Sequence, residues 1–324
     1  MTNDTLDVVV RHRELQGQGV AVLTLAQASG APLPAFTAGA HVDLHLPGGL
    51  VRPYSLCSDP RDTASYRLGV LKDPASRGGS EAVHQALVAG TALRIGQPRN
   101  LFPLAADAPH SVLVGGGIGI TPMLAMAWAL HAAGASFELH YCARSLGQAA
   151  FLDELARAPW ADKVHLHADD GGEATRLQPR ALLSQAVPGS HLYVCGPGGF
   201  MAWVLEEAAA AGLTPAQLHR EYFSAPTDLA ASADTDTGVE LVARRSGKTV
   251  QVAPGQSQLA ALAGIGIRIP VSCEQGVCGT CACTVLEGEP DHRDAYLTEE
   301  ERAANDQIMV CCSRARSSRL VLDV

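Results

Sequence analysis

Cys273, Cys278, Cys281 and Cys311 follow a C-x4-C-x2-C spacing, with 29 residues before the fourth cysteine. That is the pattern of a plant-type [2Fe–2S] cluster, in which two thiolates hold each iron. Gly276 and Gly279 fall between the ligands, where the loop must turn tightly and bring backbone N–H groups close to sulfur. Four thiolates also suit zinc. Zinc ribbons, however, usually combine two C-x2-C pairs, and here one cysteine stands alone far downstream. Cys283 and Cys312 read as packed neighbours: if QIMVCC is a strand, Cys312 points away from the face of Cys311. Such a cluster passes one electron at a time, so residues upstream must account for how electrons enter.

Two glycine turns offer a nucleotide site. SVLVGGGIGITPM is a buried strand, a loop holding Gly115, Gly116, Gly117 and Gly119, and a helix start. A helix N-terminus presents unpaired N–H groups and the positive end of its dipole, which suits a pyrophosphate. Pro122 stands where a Rossmann fingerprint has its third glycine, and it fits the first helical turn; Thr121 can cap that helix or donate to a ligand. HLYVCGPGGFM closes a second strand with Cys195, Gly196, Pro197 and Gly198. Ligands of open α/β sheets bind at such carboxyl ends, so two turns in one domain favour nucleotide binding.

Two further anion sites lie nearer the N-terminus. Arg52, Pro53, Tyr54 and Ser55 read as strand, with Arg52 and Tyr54 on one face and Ser55 on the other. Arginine can grip a phosphate, a tyrosine ring can cover a flat heterocycle, and a hydroxyl can meet a ring nitrogen. Arg77, Gly78, Gly79 and Ser80 open a helical stretch, SEAVHQAL, pairing bare backbone with charge. Either stretch alone reads equally well as a surface turn with an incidental arginine. His165 and His167 share a strand face with Asp169. Without a further ligand signal they read as strand histidines facing solvent or a helix rather than as a metal triad.

The elements that must position these residues fall into three groups. Up to about residue 105, short alternating stretches such as VAVLTLA and HVDLHLP, broken by Pro and Gly, predict an antiparallel β-barrel. From 106 to 228, apolar strands alternate with helical stretches, the signature of an α/β domain on a parallel sheet. The segment 225–238 is polar and small, a linker. Residues 237–324 predict a compact domain: a hairpin around Ser246-Gly247, a short helix QSQLAALAGIG, the cysteine loop, a helix capped by Thr298 and Glu301, and closing strands. A helix against a mixed sheet with a cluster loop resembles the β-grasp ferredoxin fold.

Composition bounds the function. With 47% apolar and 18% charged residues the chain reads as globular, and it has neither a membrane-length apolar run nor a signal-peptide pattern at MTNDTLDVVV. A formal charge of −9 argues against general nucleic-acid binding and gives no help to membrane docking. Nine cysteines without a disulfide framework point to a reducing cytoplasm.

Taken in order, R-x-Y-S, RGGS, GGGIGITPM, CGPGGFM, E-x-F and the cysteine loop resemble the phthalate dioxygenase reductase family over nearly the whole chain. These are three-domain flavin and iron–sulfur reductases that serve Rieske oxygenases. The resemblance implies that Arg52, Pro53, Tyr54 and Ser55 bind flavin, with Ser55 near its N5 edge. Lys72 and Arg77 to Ser80 would surround a single phosphate, favouring FMN over FAD. Gly117, Gly119, Thr121 and Pro122 would face the pyridine nucleotide, with Cys195 to Gly198 bordering its nicotinamide. Glu221 and Phe223 match E-x-F, with Phe223 near the flavin; Ser55, Cys195, Glu221 and Phe223 form the implied catalytic set. Cys273 and Cys278 would hold the outer iron, Cys281 and Cys311 the inner one. Electrons would run from NADH through FMN and the cluster to a Rieske-type aromatic-ring oxygenase or O-demethylase, whose higher potential suits a cluster near about −400 mV. Asp169 and Asp170 would oppose a 2′-phosphate near Arg144 and Ser145, favouring NADH over NADPH. A monomer is implied. Alternatives are a haem monooxygenase or other soluble acceptor, and a redox-sensing binding module.

Overall fold

The computed structural model describes residues 5–226 and 238–324, so most of the linker expected at 225–238 lies outside the described residues. The chain divides into two compact units, 1–221 and 222–324.

The first unit opens with seven strands: β1 (Thr5–Gln16), β2 (Val20–Gln27), β3 (Ala40–His45), β4 (Val51–Ser55), β5 (Tyr66–Leu71), β6 (Ala92–Gly96) and β7 (Arg99–Asn100), with α1 (Gly79–Ala86) between β5 and β6. All pair antiparallel, in the order β4-β3-β6-β1-β2-β5, with β7 against β3. A bridge between Leu56 and Leu68 joins the two ends, which closes the sheet into a barrel. Its interior is filled by alternating apolar residues such as Val22, Leu44, Leu68 and Ile95. Pro53 sits in β4, whose outer side carries no further ladder beyond that bridge, where a missing N–H costs little.

A parallel sheet follows: β8 (Ser111–Gly116), α2 (Ile120–Ala132), β9 (Phe137–Ala143), α3 (Leu152–Arg157), β10 (Val164–Ala168), α4 (Pro179–Ser184), β11 (His191–Cys195), α5 (Gly198–Ala210) and β12 (Leu218–Glu221). The strand order is β10-β9-β8-β11-β12, all parallel. β8 is buried at every position, as expected of a central strand covered by helices on both faces. Leu139 and Tyr141 of β9 share a core with Met123, Leu124 and Ala127 of α2. That core is continuous with the barrel's, and at Gly69 of β5 an added Cβ would stand 2.9 Å from Thr121 and 2.8 Å from Phe151.

The second unit holds β13 (Val239–Ala243), β14 (Lys248–Val252), α6 (Gln258–Gly264), β15 (Ala282–Glu287), β16 (Pro290–Asp291), α7 (Glu299–Ala304), β17 (Gln307–Met309), β18 (Arg314–Ala315) and β19 (Arg319–Leu322). Its main sheet runs β14-β13-β19-β15-β17, with β13 and β19 parallel and the rest antiparallel. Ser257 caps α6, and Thr298 with Glu301 forms the expected capping box on α7.

Two expectations change. The strand read through QIMVCC ends at Met309, so Cys311 and Cys312 lie on a turn and the alternating-face argument does not apply to them. Thr121 does not cap α2: Gly119 holds that position, and the Thr121 hydroxyl donates to the Ile118 carbonyl at 3.0 Å.

Candidate functional sites

The two glycine turns meet. β8 and β11 are neighbours at the point where strand order reverses, the switch point at which open α/β sheets form a crevice. A Cβ on Gly119 would stand 2.1 Å from the Cys195 carbonyl oxygen and 2.7 Å from the Gly196 nitrogen. Only glycine permits this approach of backbone to backbone. The Phe200 ring of α5 closes over Gly116 and Gly196. α2 and α5 therefore begin beside one contact, and neither has a side-chain cap. Their first N–H groups and positive dipole ends suit a diphosphate. Gly117, at φ +55, and Pro197 and Gly198 are exposed, whereas Gly119, Thr121 and Pro122 are buried.

Strand β12 carries a partner for the barrel. Its last residue, Glu221, pairs in register with Cys195, and its carboxylate accepts from the Ser55 hydroxyl at 3.2 Å. Ser55 is the last residue of β4, so this bond ties barrel to sheet. The Glu221 carboxyl is surrounded by protein although the residue retains some surface. Burial pushes its pKa up to about 8, against a smaller opposing pull from the Ser55 hydroxyl. Burial also pushes the Cys195 thiol well up, reinforced by the Glu221 charge. At neutral pH the cluster is thus a hydroxyl, a thiol and a mostly protonated carboxyl. Such a group can donate hydrogen bonds to an uncharged ring and hold a proton beside it.

The arginine stretches converge too. The Arg52 guanidinium is buried and donates to the Arg77 carbonyl at 3.2 Å. Its aliphatic stem fills the space over Gly79, where a Cβ would meet Arg52 Cγ at 2.7 Å. Gly78, at φ +87, caps α1 with no side-chain bond, and Ser80 accepts from the Asp73 N–H at 3.1 Å. A charge beside a bare helix start forms a cradle for one phosphate. Tyr54, next along β4, is held neutral by burial, its phenol pushed up to about 12. Lys72 is exposed just past β5. Phe223 is exposed and falls in the second unit.

In that second unit the four predicted cysteines gather in two pairs. A hydrogen bond between Cys273 and Cys278 lowers the Cys278 thiol and raises that of Cys273, and one between Cys281 and Cys311 lowers Cys281 and raises Cys311. Backbone N–H groups of Gln275 and Val277 point at Cys273 Sγ from 3.3 and 3.4 Å, and the Thr280 hydroxyl lies 3.2 Å from Cys278 Sγ. Donors aimed at sulfur favour the thiolate form that a cluster needs. Gly276, at φ +74, passes Asp294 and Cys312 so closely that a Cβ would lie 2.5 Å from Cys312 Sγ. The loop is folded for close approach, and these residues fit a diiron centre.

β12 and the hydrogen bond that joins Ser55 to Glu221 across 166 residues carry no signal in the sequence.

Residues 242–316 match the family model described as "2Fe-2S iron-sulfur cluster binding domain". The chain is 49% identical to a vanillate O-demethylase oxidoreductase of Pseudomonas sp. (strain HR199 / DSM 7063), covering 98% of this chain and 100% of that one. The solved phthalate dioxygenase reductase aligns with a TM-score of 0.77 at 36% identity, over 99% of this chain and 98% of its own. An intact type IV self-sufficient cytochrome P450 monooxygenase aligns at 0.85 and 40% identity, this chain covering 99% of itself but 41% of that longer protein.

Proposed function

Because the chain belongs to the phthalate dioxygenase reductase family, we propose that it is the NADH-dependent reductase component of a Rieske-type oxygenase, of the aromatic-ring or O-demethylating class. The observation that carries this is the meeting of the two glycine turns beside the Ser55–Glu221 bond, which joins a nucleotide crevice to a flavin-type barrel. When bound, the cofactors supply two-electron acceptance from the nucleotide and one-electron delivery to a partner.

The protein's own residues bind, orient and hold protons. Three domains, 1–105, 106–228 and 237–324, carry the three cofactors. Arg52 and the turn Arg77 to Ser80 would grip one phosphate, which supports FMN over FAD, with Lys72 adding charge at the rim. Tyr54 would cover the ring and Ser55 meet its edge. Gly117, Gly119, Thr121 and Pro122 would shape the nucleotide crevice, and Cys195, Gly196, Pro197 and Gly198 would border the reacting ring. Glu221 would hold a proton of its own beside Ser55 at neutral pH, and Phe223 would close the ring site. Cys273, Cys278, Cys281 and Cys311 would ligate the cluster.

NADH over NADPH is supported by the Asp170 N–H bonded to the Arg144 carbonyl at 3.1 Å, which brings the backbone of an acidic turn beside the residue that would meet a 2′-phosphate. A cytoplasmic, monomeric protein belongs to the same reading; all nine cysteines are free, and among the described residues no helix is long and apolar enough to cross a membrane.

The test is product formation from NADH by the purified chain mixed with a Rieske O-demethylase, with a haem monooxygenase in parallel. Product only with the haem enzyme would favour the second reading, which rests on the alignment with a cytochrome P450 fusion.

A further inference from the structure

The face of the parallel sheet turned away from α2 carries polar side chains that electron transfer does not use. Leu139 and Tyr141 enter the core with α2, so Glu138 and His140 project from the opposite side of β9. β10 lies parallel to β9 with His165 in register with His140, and His165 and His167 share that face. The His165 and His167 rings both stack with His140, at centroid distances of 4.7 and 5.2 Å. Asp169, expected on the same face, instead lies in a turn after β10 ends at Ala168.

The ligand signal missing from one strand comes from its neighbour. Glu138 Oε2 lies 3.4 Å from His140 Nε2 and 3.9 Å from His165 Nε2. One donor atom from each of these three residues can be chosen so that all lie within 4.8 Å of one another. A tetrahedral ion with bonds of about 2.0–2.1 Å holds its donors about 3.3–3.4 Å apart, so the exposed His165 must turn out of its stack on His140 for both rings to point at one ion.

The second observation is His140 itself. It is 4% exposed, and its Nε2 is buried without a hydrogen bond although it faces a carboxylate. The hydrogen-bond chain behind it explains why. His167 meets backbone groups at Thr175 and Arg176. His167 Nε2 and His140 Nδ1 share a hydrogen bond of 2.9 Å, so the inner nitrogen of His140 is taken and its Nε2 is turned toward Glu138. His140 Nε2 and the Glu138 carboxylate thus face each other at 3.4 Å without a hydrogen bond, a gap that a cation between them would fill. On the far side, His110 Nε2 lies 3.5 Å from Glu138 Oε1 and its Nδ1 lies 2.8 Å from the Ser136 hydroxyl. His110 and His167 thus orient the two inner donors as outer partners orient metal ligands.

We propose that Glu138, His140 and His165 form a binding site for a divalent transition-metal ion of the zinc class, with solvent completing the coordination. Two imidazoles and one carboxylate select zinc, nickel or cobalt over calcium and magnesium, which prefer all-oxygen shells. Half-exposed His165 provides the route of entry.

The test uses full-length protein loaded with its flavin and cluster, dialysed against zinc chloride, as wild type, His165→Gln and Glu138→Gln. One zinc per chain is expected, with a nitrogen and oxygen shell at about 2.0–2.1 Å in the zinc-edge absorption spectrum. Each substitution should weaken binding by at least about tenfold. NADH-driven cytochrome c reduction at the wild-type rate would show that the variants are folded, and His165→Ala serves if the glutamine form is not. Equal zinc affinity in all proteins, no binding at about a hundredfold excess of zinc, or a sulfur shell at about 2.3 Å would overturn the site and leave a hydrogen-bonded histidine ladder.

Discussion

Replacing Glu221 by Gln keeps the shape of the side chain and a hydrogen bond to Ser55, but removes a titration. In the folded protein the Glu221 carboxyl titrates near 8, whereas its ordinary value is 4.5. Below pH 4.5 both folded and unfolded forms carry the proton. Between 4.5 and 8 the unfolded chain releases it and the folded chain keeps it, so stability falls as pH rises through that window. The full span is worth about 5 kcal/mol at most, of which about 3 kcal/mol lies between about pH 5.5 and pH 8. Water reaching the residue's remaining surface reduces this to about 1–3 kcal/mol. For a unit of this size that is a change of about 3–10 °C in melting temperature. The assay is flavin release on heating, followed for wild type and Glu221→Gln at several pH values in the same buffer series. The Gln variant should gain on the wild type steadily as pH rises. A gap that stays constant, or that narrows toward pH 8, would refute the reasoning.

Gly119→Ala forces a methyl group into the Cys195 carbonyl, 2.1 Å away in the present packing, so backbone must shift. A loss of about 1–3 kcal/mol in thermal stability and at least a several-fold rise in KM for NADH are expected, measured by melts and steady-state kinetics. Cys278→Ser combined with Cys281→Ser should abolish the cluster absorbance and cytochrome c reduction while NADH still reduces a small dye. Thr298→Ala removes the hydroxyl half of the capping box on α7, the 3.2 Å bond from the Glu301 N–H, and keeps the 2.9 Å bond from its own backbone N–H to Glu301; it should cost the second unit about 1 kcal/mol while leaving the cluster spectrum unchanged.

The cluster ligands were legible because metal chemistry fixes both residue type and spacing, and no other part of the chain needs four thiolates at those intervals. The parallel sheet was legible because a central strand buried on both faces must be continuously apolar, as SVLVGG is. β12 escaped because four residues, LHRE, only partly buried at the sheet edge, carry no periodicity. Cys311 reads as strand because IMVCC is an unbroken apolar run; the cluster loop needs a turn there, and tertiary demand overrides local preference. Thr121 illustrates a similar limit. Its hydroxyl has a partner three residues back only because the glycine turn tightens into a short 3-10 segment before α2. The histidine group could not be read from one strand: Glu138 and His140 reach His165 only through the parallel register of β9 and β10.

Anaerobic mixing with NADH, followed by flavin absorbance and by low-temperature electron paramagnetic resonance, tests the central claim most directly. The account predicts that the flavin band bleaches first and that a one-electron iron–sulfur signal then rises, the signal alone being lost when Cys278 and Cys281 are replaced. Protein that is purified colourless, that holds zinc at the four cysteines in place of iron and sulfide, or whose flavin stays oxidised under excess NADH and NADPH would contradict it.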